Sequence, residues 1–314
     1  MAYLPFYITP EEFTEKQKQQ EQEIASGCNQ ISWHKYDIEE SFRYLYLCYG
    51  LVPLVPLFIL TYVLFDRDEI FLNVMMIGLS ILMSGVCYLT FGLDYRYDYT
   101  LSDRGLVVKK RRNMPRWVNT AAQVMAWFGA VFCVVMVATV GPMVLAGAGG
   151  LILLSFGMLK RQPDEEAEVR IGHSEDWLFA YYNKKRKVIQ FFHKFDLCFY
   201  RDTDRTKVFR SNSRGDSYLF FRSQNELEGM LERLSNQYQL ECIEVVDHKE
   251  IFTAKVEPKL AGIPTRYLEF SKAELDSIKA RKEPPPRWKY LCDGQWRTKA
   301  EIERLQNQPL AAGD

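Results

Sequence analysis

Three long stretches of the chain carry no charged residue and interrupt an otherwise mixed pattern of apolar and polar positions. They span 22 residues at 44–65, 24 residues at 70–93 and 43 residues at 117–159. About 20 apolar residues cross a bilayer as a helix, so each of the first two stretches predicts one crossing. A helix as long as the third would measure about 65 Å, so we expect it to reverse at Gly141 and Pro142. The pattern predicts four transmembrane helices in two hairpins.

The region after the third stretch has a different pattern, in which short aromatic and β-branched runs alternate with turn residues. Such spacing is typical of an antiparallel β-meander. A helix is predicted to follow, because Ser223 with Glu226 three residues later forms a capping box ahead of an apolar face. The expected fold class is therefore an α+β membrane protein, with four transmembrane helices and a cytoplasmic antiparallel β-meander closed by a helix. The runs assigned to the meander are 177–182, 187–193, 196–201, 206–210 and 217–222.

These patterns divide the chain into six predicted segments. The first and last are polar, with helices opened by capping boxes at Thr9, Ser271 and Thr298 and a stiff proline linker at 284–286. The segments are a cytoplasmic helical N-terminus at 1–43, transmembrane hairpins at 44–93 and 117–159, a basic β-hairpin loop at 94–116, a β-rich domain with a C-terminal helix at 160–246, and a tail at 247–314.

The distribution of basic residues predicts the orientation of these spans. The loop 94–116 holds seven lysine and arginine residues, whereas the turn 66–69 holds one. Short loops rich in these residues stay in the cytoplasm. We therefore expect a multi-pass protein of the bacterial inner (plasma) membrane with both termini in the cytoplasm. Seven cysteines without a C-x-x-C pair predict reduced thiols, in agreement with a reducing compartment.

One short stretch resembles a known family. Residues 95–112 read Tyr-Arg-Tyr-Asp-Tyr-Thr-Leu-Ser-Asp-Arg-Gly-Leu-Val-Val-Lys-Lys-Arg-Arg, and Pro115 follows. This resembles the opening hairpin of bacterial pleckstrin-homology-like membrane proteins, in which a transmembrane hairpin precedes a strand, a Thr/Ser-Asp-Arg turn, a second strand and a proline. The resemblance covers 95–115 only and implies a membrane-associated protein that is not an enzyme. Either the hairpin joins the later sheet as a split pleckstrin-like domain, or it is an ordinary β-hairpin beside a membrane.

No arrangement of residues in the sequence indicates catalysis. The four histidines are far apart and lack the spacing of metal ligands, and no nucleophile-elbow, phosphate-loop or dinucleotide-binding motif occurs. The segment 172–176 combines a histidine, a serine and acidic residues, but neighbouring side chains on a strand or turn point apart. We therefore expect no catalytic residue, no cofactor and no metal, and an enzyme is the less favoured class.

Local positive charge is the clearest functional signal. Residues 184–222 hold eleven lysines and arginines against four aspartates, in a chain whose net charge is zero. Anionic lipids attract such residues at roughly 1 kcal/mol each near the membrane surface. The alternatives are a contact with a partner protein, a homo-oligomer, or a solvated basic face, and no nucleic acid is expected. The candidate contact residues for lipid or partner are Lys109, Lys110, Arg111, Arg112, Lys184, Lys185, Arg186 and Lys187.

Two functions from different classes agree with these patterns. The first is a non-enzymatic inner-membrane scaffold or regulator, whose basic cytoplasmic domain contacts anionic lipid or a partner protein. The second is an accessory subunit of an envelope machine, such as a secretion, conjugation or exclusion system. A membrane enzyme with an unrecognised site is a weaker alternative.

Overall fold

A computed structural model describes most of the chain outside the long uncharged stretches. The chain divides into two compact units, formed by 1–41, 96–110 and 169–314, and by 42–95 and 111–168. The first unit is assembled from three separate pieces of the sequence and carries nearly all of the described structure. The described residues are 3–42, 55–63, 70, 73–74, 77, 94–113, 117–118, 120, 127, 167–253 and 258–307.

Helix α1, Pro10–Ala25, begins at a capping box. The side-chain oxygen of Thr9 accepts a hydrogen bond from the N–H of Glu12 at 3.1 Å, and the Glu12 carboxylate accepts one from the N–H of Thr9 at 3.0 Å. These contacts satisfy two donors that a helix start leaves unpaired. Phe13 and Ile24 are the buried side chains of the helix and attach it to the first unit.

The first sheet has four strands in the order β1-β2-β3-β4. Strands β2 and β3 form a hairpin around Asp103 and Arg104, and β1 and β4 are the outer strands of this sheet within the described residues. Ile31, Trp33 and Tyr36, which come shortly before the first uncharged stretch, lie on strand β1. The bounds are β1 Ile31–Asp37, β2 Tyr95–Ser102, β3 Gly105–Arg112 and β4 Glu168–His173.

The second sheet has five strands in the order β8-β5-β6-β7-β9. Strand β8 runs parallel to β5, and the other neighbours are antiparallel. The long pair β6–β7 aligns from Val188 opposite Phe220 to Tyr200 opposite Val208. The bounds are β5 Trp177–Asn183, β6 Val188–Tyr200, β7 Lys207–Phe220, β8 Cys242–Glu244 and β9 Arg266–Ser271.

The two sheets meet through aromatic side chains near the end of β7. The hydroxyl of Tyr99 on β2 donates to the carbonyl of Tyr218 at 2.8 Å and accepts from the N–H of Phe220 at 3.2 Å. The rings of Tyr97 and Phe220 lie 5.1 Å apart, and both side chains are buried. Apolar burial of this kind drives folding, and the hydroxyl contacts fix how the strands meet. The hairpin β2–β3 therefore packs against the second sheet while belonging to the first. Its resemblance to pleckstrin-homology-like proteins is not tested by this packing and stays a prediction.

Further elements complete the first unit. Helix α3 starts at Ser223, whose side chain accepts from the N–H of Glu226, and it buries Leu227, Met230 and Leu234. A small hairpin, β10–β11, follows the proline linker and connects to the rest by a bridge between Thr265 and Lys289. The bounds are α3 Gln224–Asn236, α4 His248–Ile251, α5 Leu275–Ala280, β10 Lys289–Cys292, β11 Gln295–Thr298 and α6 Lys299–Asn307.

A buried ion pair joins the N-terminal segment to the second sheet. Arg210 on β7 has no exposed surface, and its Nη1 lies 3.1 Å from the Oδ1 of Asp196 on β6. Its Nη2 donates to the carbonyls of Leu4 and Pro5 at 3.2 and 3.3 Å. Asp196 also accepts from the N–H of Leu4 at 2.8 Å. Leu4 and Pro5 are thus bound to the second sheet by hydrogen bonds to charged side chains.

The second unit contributes helix α2, Val55–Val63, and a few single positions to the described structure. This helix has nine residues and shows several exposed apolar side chains, of which Tyr62 is 84% exposed.

The predicted fold class, an α+β membrane protein with four transmembrane helices, is wrong. The described part of the chain is mostly β-sheet with few helices, and none of the helices there is both long and apolar enough to cross a membrane. Uncharged runs predict crossings only where they form helices of about 20 residues. Apart from α2 and single positions, the runs 44–65, 70–93 and 117–159 lie outside the described residues.

Candidate functional site

A groove between strand β1 and helix α3 is the best candidate for a functional surface in the first unit. It has a volume of about 470 Å³, its exposed lining is mostly apolar, and residues from β1, the end of β7 and the first turns of α3 form it. We call it the β1–α3 groove. Its lining residues are Ile31, Ser32, Trp33, His34, Phe221, Arg222, Glu226, Gly229, Met230 and Arg233.

The position of Trp33 gives the groove a rigid aromatic floor. Its ring stacks on Tyr99 with 4.7 Å between centroids and on Phe221 with 5.6 Å. Its indole N–H donates to the carbonyl of Phe220 at 3.2 Å. Stacked aromatic rings with a satisfied polar atom keep one orientation. The floor is thus formed before any partner arrives.

Two arginines stand at the rim. The Arg222 guanidinium donates to the backbone carbonyl of His34 at 3.2 Å and lies 3.0 Å from the Nε2 of its ring, and Arg233 donates to the carbonyl of Asn29 at 3.4 Å. Neither guanidinium forms an ion pair with a carboxylate in the described part of the chain. Glu226 is the acidic residue of the lining, and its carboxylate accepts from the backbone N–H of Arg222 at 3.0 Å. The groove combines an apolar floor with positively charged edges.

Helix α3 forms the wall opposite β1. Glu226, Gly229, Met230 and Arg233 follow helical spacing and share the face that lines the groove. A Cβ atom added to Gly229 would meet no heavy atom of the described residues within 4 Å. The wall is therefore open at this position.

A second cavity lies beside β6 and β7 and has a volume of about 600 Å³. Its charged groups already have partners within the fold. Arg170 donates to the carbonyl of Asp216 at 2.5 Å, and the Asp216 carboxylate accepts from Gln190 at 2.7 Å. Arg214 donates to the carbonyl of Leu260 at 2.7 Å and lies 4.9 Å from the Trp296 ring centre. These contacts stabilise the folded chain and occupy the charged groups of the cavity.

The predicted basic turn Lys184–Lys187 joins β5 to β6, and its residues have unequal surroundings. Lys184 and Lys185 are exposed, and Lys184 lies 3.8 Å from Glu244. Arg186 is largely buried and pairs with the buried Asp37 at 2.6 Å. Lys187 donates to the carbonyl of Arg222 at 3.1 Å. Arg186 and Lys187 therefore connect the turn to β1 and to the end of β7, whereas Lys184 and Lys185 lie on the surface.

The basic residues at the end of β3 also differ from one another in their contacts. Lys109 pairs with Glu21 of α1, and Lys110 pairs with Glu39 at 2.7 Å. Arg111 is exposed and Arg112 is half-buried, and both make further interactions. None of these four residues, nor the turn 184–187, lines the β1–α3 groove. Their role in a partner contact stays a prediction.

In the segment 172–176, Gly172 and His173 end strand β4, and residues 174–176 form a short 3-10 turn that leads to β5. Asp176 is buried, and its Oδ1 has no hydrogen-bond partner in the described structure. Burial raises the pKa of Asp176 to about 6. In the part of the chain that is described, no group of three histidine, cysteine or acidic residues is placed to hold a metal ion.

Asp176→Asn should raise the free energy of unfolding at pH 7.5 and change it little at pH 4. The folded pKa near 6 exceeds the ordinary value of 3.8, so folding favours the protonated carboxyl. The wild-type protein therefore loses stability from this group as the pH rises from about 4 to 6, and asparagine stays neutral throughout. Urea denaturation of both proteins at the two pH values measures the difference.

Two other groups provide the controls for that experiment. Burial lowers the pKa of His193 to about 4, so its contribution is lost as the pH falls from 6.5 towards 4, but it is common to both proteins and cancels. Hydrogen bonds from Thr206 and Lys207 lower the pKa of Asp202 to about 2, so Asp202→Asn should reduce stability at pH 7.5. An equal effect of Asp176→Asn at both pH values would contradict the assignment.

Comparison with known proteins identifies the family. A family model described as "TsiV2 immunity protein" matches residues 15–256, which is more than two thirds of the chain. This chain belongs to the TsiV2 immunity protein family. The β1–α3 groove lies wholly inside the matched region, whereas the second cavity includes Leu291, Gly294 and Trp296 beyond it.

A curated relative supports the assignment over part of its length. The immunity protein TsiV2 of Vibrio cholerae serotype O1 (strain ATCC 39315 / El Tor Inaba N16961) is 33% identical over 116 residues. The match covers 36% of this chain and 46% of the relative, so the chain spans about half the length of the curated relative it matches. No solved structure matches the chain.

Membership of this family corrects the predicted function. The predicted inner-membrane scaffold or regulator is wrong, because the matching family consists of immunity proteins. The alternatives of an envelope-machine subunit and a membrane enzyme are not supported either. The multi-pass inner-membrane location depended on the predicted spans and is wrong with them. The family favours a protein partner, as expected, and gives no support to anionic lipid.

Sequence analysis missed the residues of the groove. Residues 31–34 alternate between apolar and polar side chains, which is the period of a strand, and this signal could have identified the start of β1. Its pairing with β2 and its position beside α3 depend on contacts between residues far apart in the sequence. No pattern among neighbouring residues predicts these contacts.

Proposed function

We propose that this chain is an immunity protein that binds a toxin protein through the β1–α3 groove and prevents the toxin from acting. The match of the TsiV2 immunity protein family to residues 15–256 carries this proposal. Protection by binding requires a surface that recognises one partner and blocks it, and it needs no catalytic group.

The chemistry of the groove supports its role as the contact surface. Protein interfaces are enriched in aromatic residues, methionine and arginine, and their strongest contacts centre on aromatic and arginine side chains in well-packed pockets. The groove presents Trp33, Phe221, Met230, Arg222 and Arg233 together. The preformed floor lowers the entropic cost of ordering side chains on binding.

A competition experiment tests the function directly. The gene for this chain is deleted from its host strain, and the deletion strain is grown alone and in contact with the parental strain. We expect normal growth alone and loss of viability beside the parent, because the deletion strain lacks protection against the parent's toxin. Plasmid-borne wild-type chain should restore survival.

The survival of the deletion strain in the mixed culture decides whether the chain has a role in immunity. Equal survival of the deletion strain alone and beside the parent, under conditions in which the parent kills an unrelated competitor, would refute a role in immunity. An empty plasmid and a plasmid encoding an unrelated β-rich protein are the matched controls.

A further inference from the structure

Gly229 occupies a position in α3 where the fold gains nothing from glycine. It lies in the interior of a thirteen-residue helix, where glycine is less favourable than alanine by about 1 kcal/mol. A glycine is needed where the backbone is left-handed or where another group approaches closely. Gly229 is helical, and apart from its chain neighbours and the nearby backbone of its own helix no described heavy atom lies within 4 Å of the place where its Cβ would be. Within the described fold, neither reason applies.

The missing side chain widens the groove at its aromatic floor. Gly229 is exposed, and the groove that it lines also contains Trp33, Phe221 and Met230. A side chain at position 229 would project into this space. The open space beside position 229, which we call the slot, is thus part of a groove that these three side chains also line.

The rim defines the chemistry of the molecule that fits. Arg222 and Arg233 are held by backbone carbonyls, and within the described residues neither has a carboxylate partner. A guanidinium group pairs well with a carboxylate, and two such groups at one rim attract a negatively charged segment. A second copy of this chain would present the same positive rim and would be repelled.

We propose that the slot at Gly229 receives a large apolar side chain of the partner protein, flanked by a carboxylate that binds Arg222. The occupant is thus an apolar and acidic segment of a protein. This inference rests on the proposed function and names the part of the toxin that the groove recognises.

Gly229→Leu is the main test, in the deletion strain exposed to the parental strain. Leucine fills the slot and is also a better helix former, so the variant should fold at least as stably as the wild type. We expect survival beside the parent to fall at least about tenfold, as for the loss of a strong interface contact. Thermal denaturation and immunoblotting of the full chain should show an unchanged or raised melting temperature and a normal amount of protein.

Two matched variants separate blocking of the slot from other effects. Gly229→Ala adds one methyl group and should raise the melting temperature while leaving most of the protection. Glu228→Leu places leucine on the neighbouring exposed position outside the groove lining and should protect like the wild type. If Gly229→Leu protects as well as these two variants, the slot is not where the partner binds.

A charge reversal tests the acidic part of the proposal. Arg222→Glu should reduce survival at least about tenfold, because it repels a carboxylate. It also removes the two contacts of Arg222 with His34, and thermal denaturation measures what that loss costs the fold. Lys207→Glu makes the same change at an exposed position at the start of β7 and should have no effect. Full protection by Arg222→Glu would rule out an acidic partner segment.

The results distinguish failure of this inference from failure of the proposed function. If the wild-type chain itself does not restore survival, the immunity function is wrong. If the wild type protects and both Gly229→Leu and Arg222→Glu protect equally, the function stands and the toxin binds elsewhere on the chain.

Discussion

Asp196→Ala should lower the free energy of unfolding by about 3–5 kcal/mol, since it removes one partner of a buried ion pair. The side chain of Arg210 has no exposed surface, and that of Asp196 is 11% exposed. Without the carboxylate, Arg210 keeps its charge in the interior and retains only carbonyl partners. The backbone N–H of Leu4 also loses its acceptor. Urea denaturation of the full chain, followed by tryptophan fluorescence, measures the change.

Two further variants show whether the buried charge is the cause. Glu241→Ala removes a surface carboxylate that lies 2.8 Å from Lys259, with both side chains well exposed, and should cost less than about 1 kcal/mol. The double variant Asp196→Ala with Arg210→Met leaves no unpaired charge and should regain much of the lost stability. A loss of less than 1 kcal/mol for Asp196→Ala alone would contradict a structural role for the pair.

Phe220→Ala should also lower the free energy of unfolding by about 3–5 kcal/mol, the usual cost of removing a buried phenylalanine. Phe220 is fully buried where the two sheets meet. Its ring lies 5.1 Å from that of Tyr97, and the Arg186 guanidinium carbon lies 5.7 Å from its centre. The substitution opens a cavity between the sheets, next to the floor of the groove.

An exposed phenylalanine of the same sheet provides the control. Phe199 lies on β6, is 47% exposed, and has its ring 5.0 Å from that of Phe209. Phe199→Ala should cost less than about 1 kcal/mol, because its ring is already in contact with water. Similar losses for the two variants would mean that Phe220 does not hold the sheets together. Denaturation under the same conditions as above measures both.

Local patterns account for the elements that depend on neighbouring residues. Strands β5, β6 and β7 lie in the region of the five predicted extended runs, but β6 joins the runs 187–193 and 196–201, and β7 joins 206–210 and 217–222. The three strands pair with near neighbours in the chain. Helices α1 and α3 begin at Thr9 and Ser223, where capping residues are written in the sequence. A capping contact joins two residues that are three positions apart. The residues around a helix start are therefore sufficient to predict it.

The first sheet and the groove depend on distant residues and could not be derived in this way. Strand β1 stacks Trp33 on Tyr99 and on Phe221, which is far along the chain. The three uncharged runs led to the prediction of transmembrane helices, because hydropathy is determined by neighbouring residues alone. Charge density was misleading in the same way, since Arg186 is a buried partner of Asp37.

The attachment of the N-terminal segment to Arg210 has a consequence during synthesis. Leu4 lies 206 residues before the arginine that binds its carbonyl. At the usual rate of translation, roughly 10–40 s pass between the appearance of the two residues. Phe6 and Ile8, which are buried in the folded chain, have no completed sheet to pack against in that interval. A ribosome that stalls before residue 210 therefore holds a nascent chain in which Phe6 and Ile8 remain exposed, and transiently exposed apolar surface of this kind is prone to aggregation.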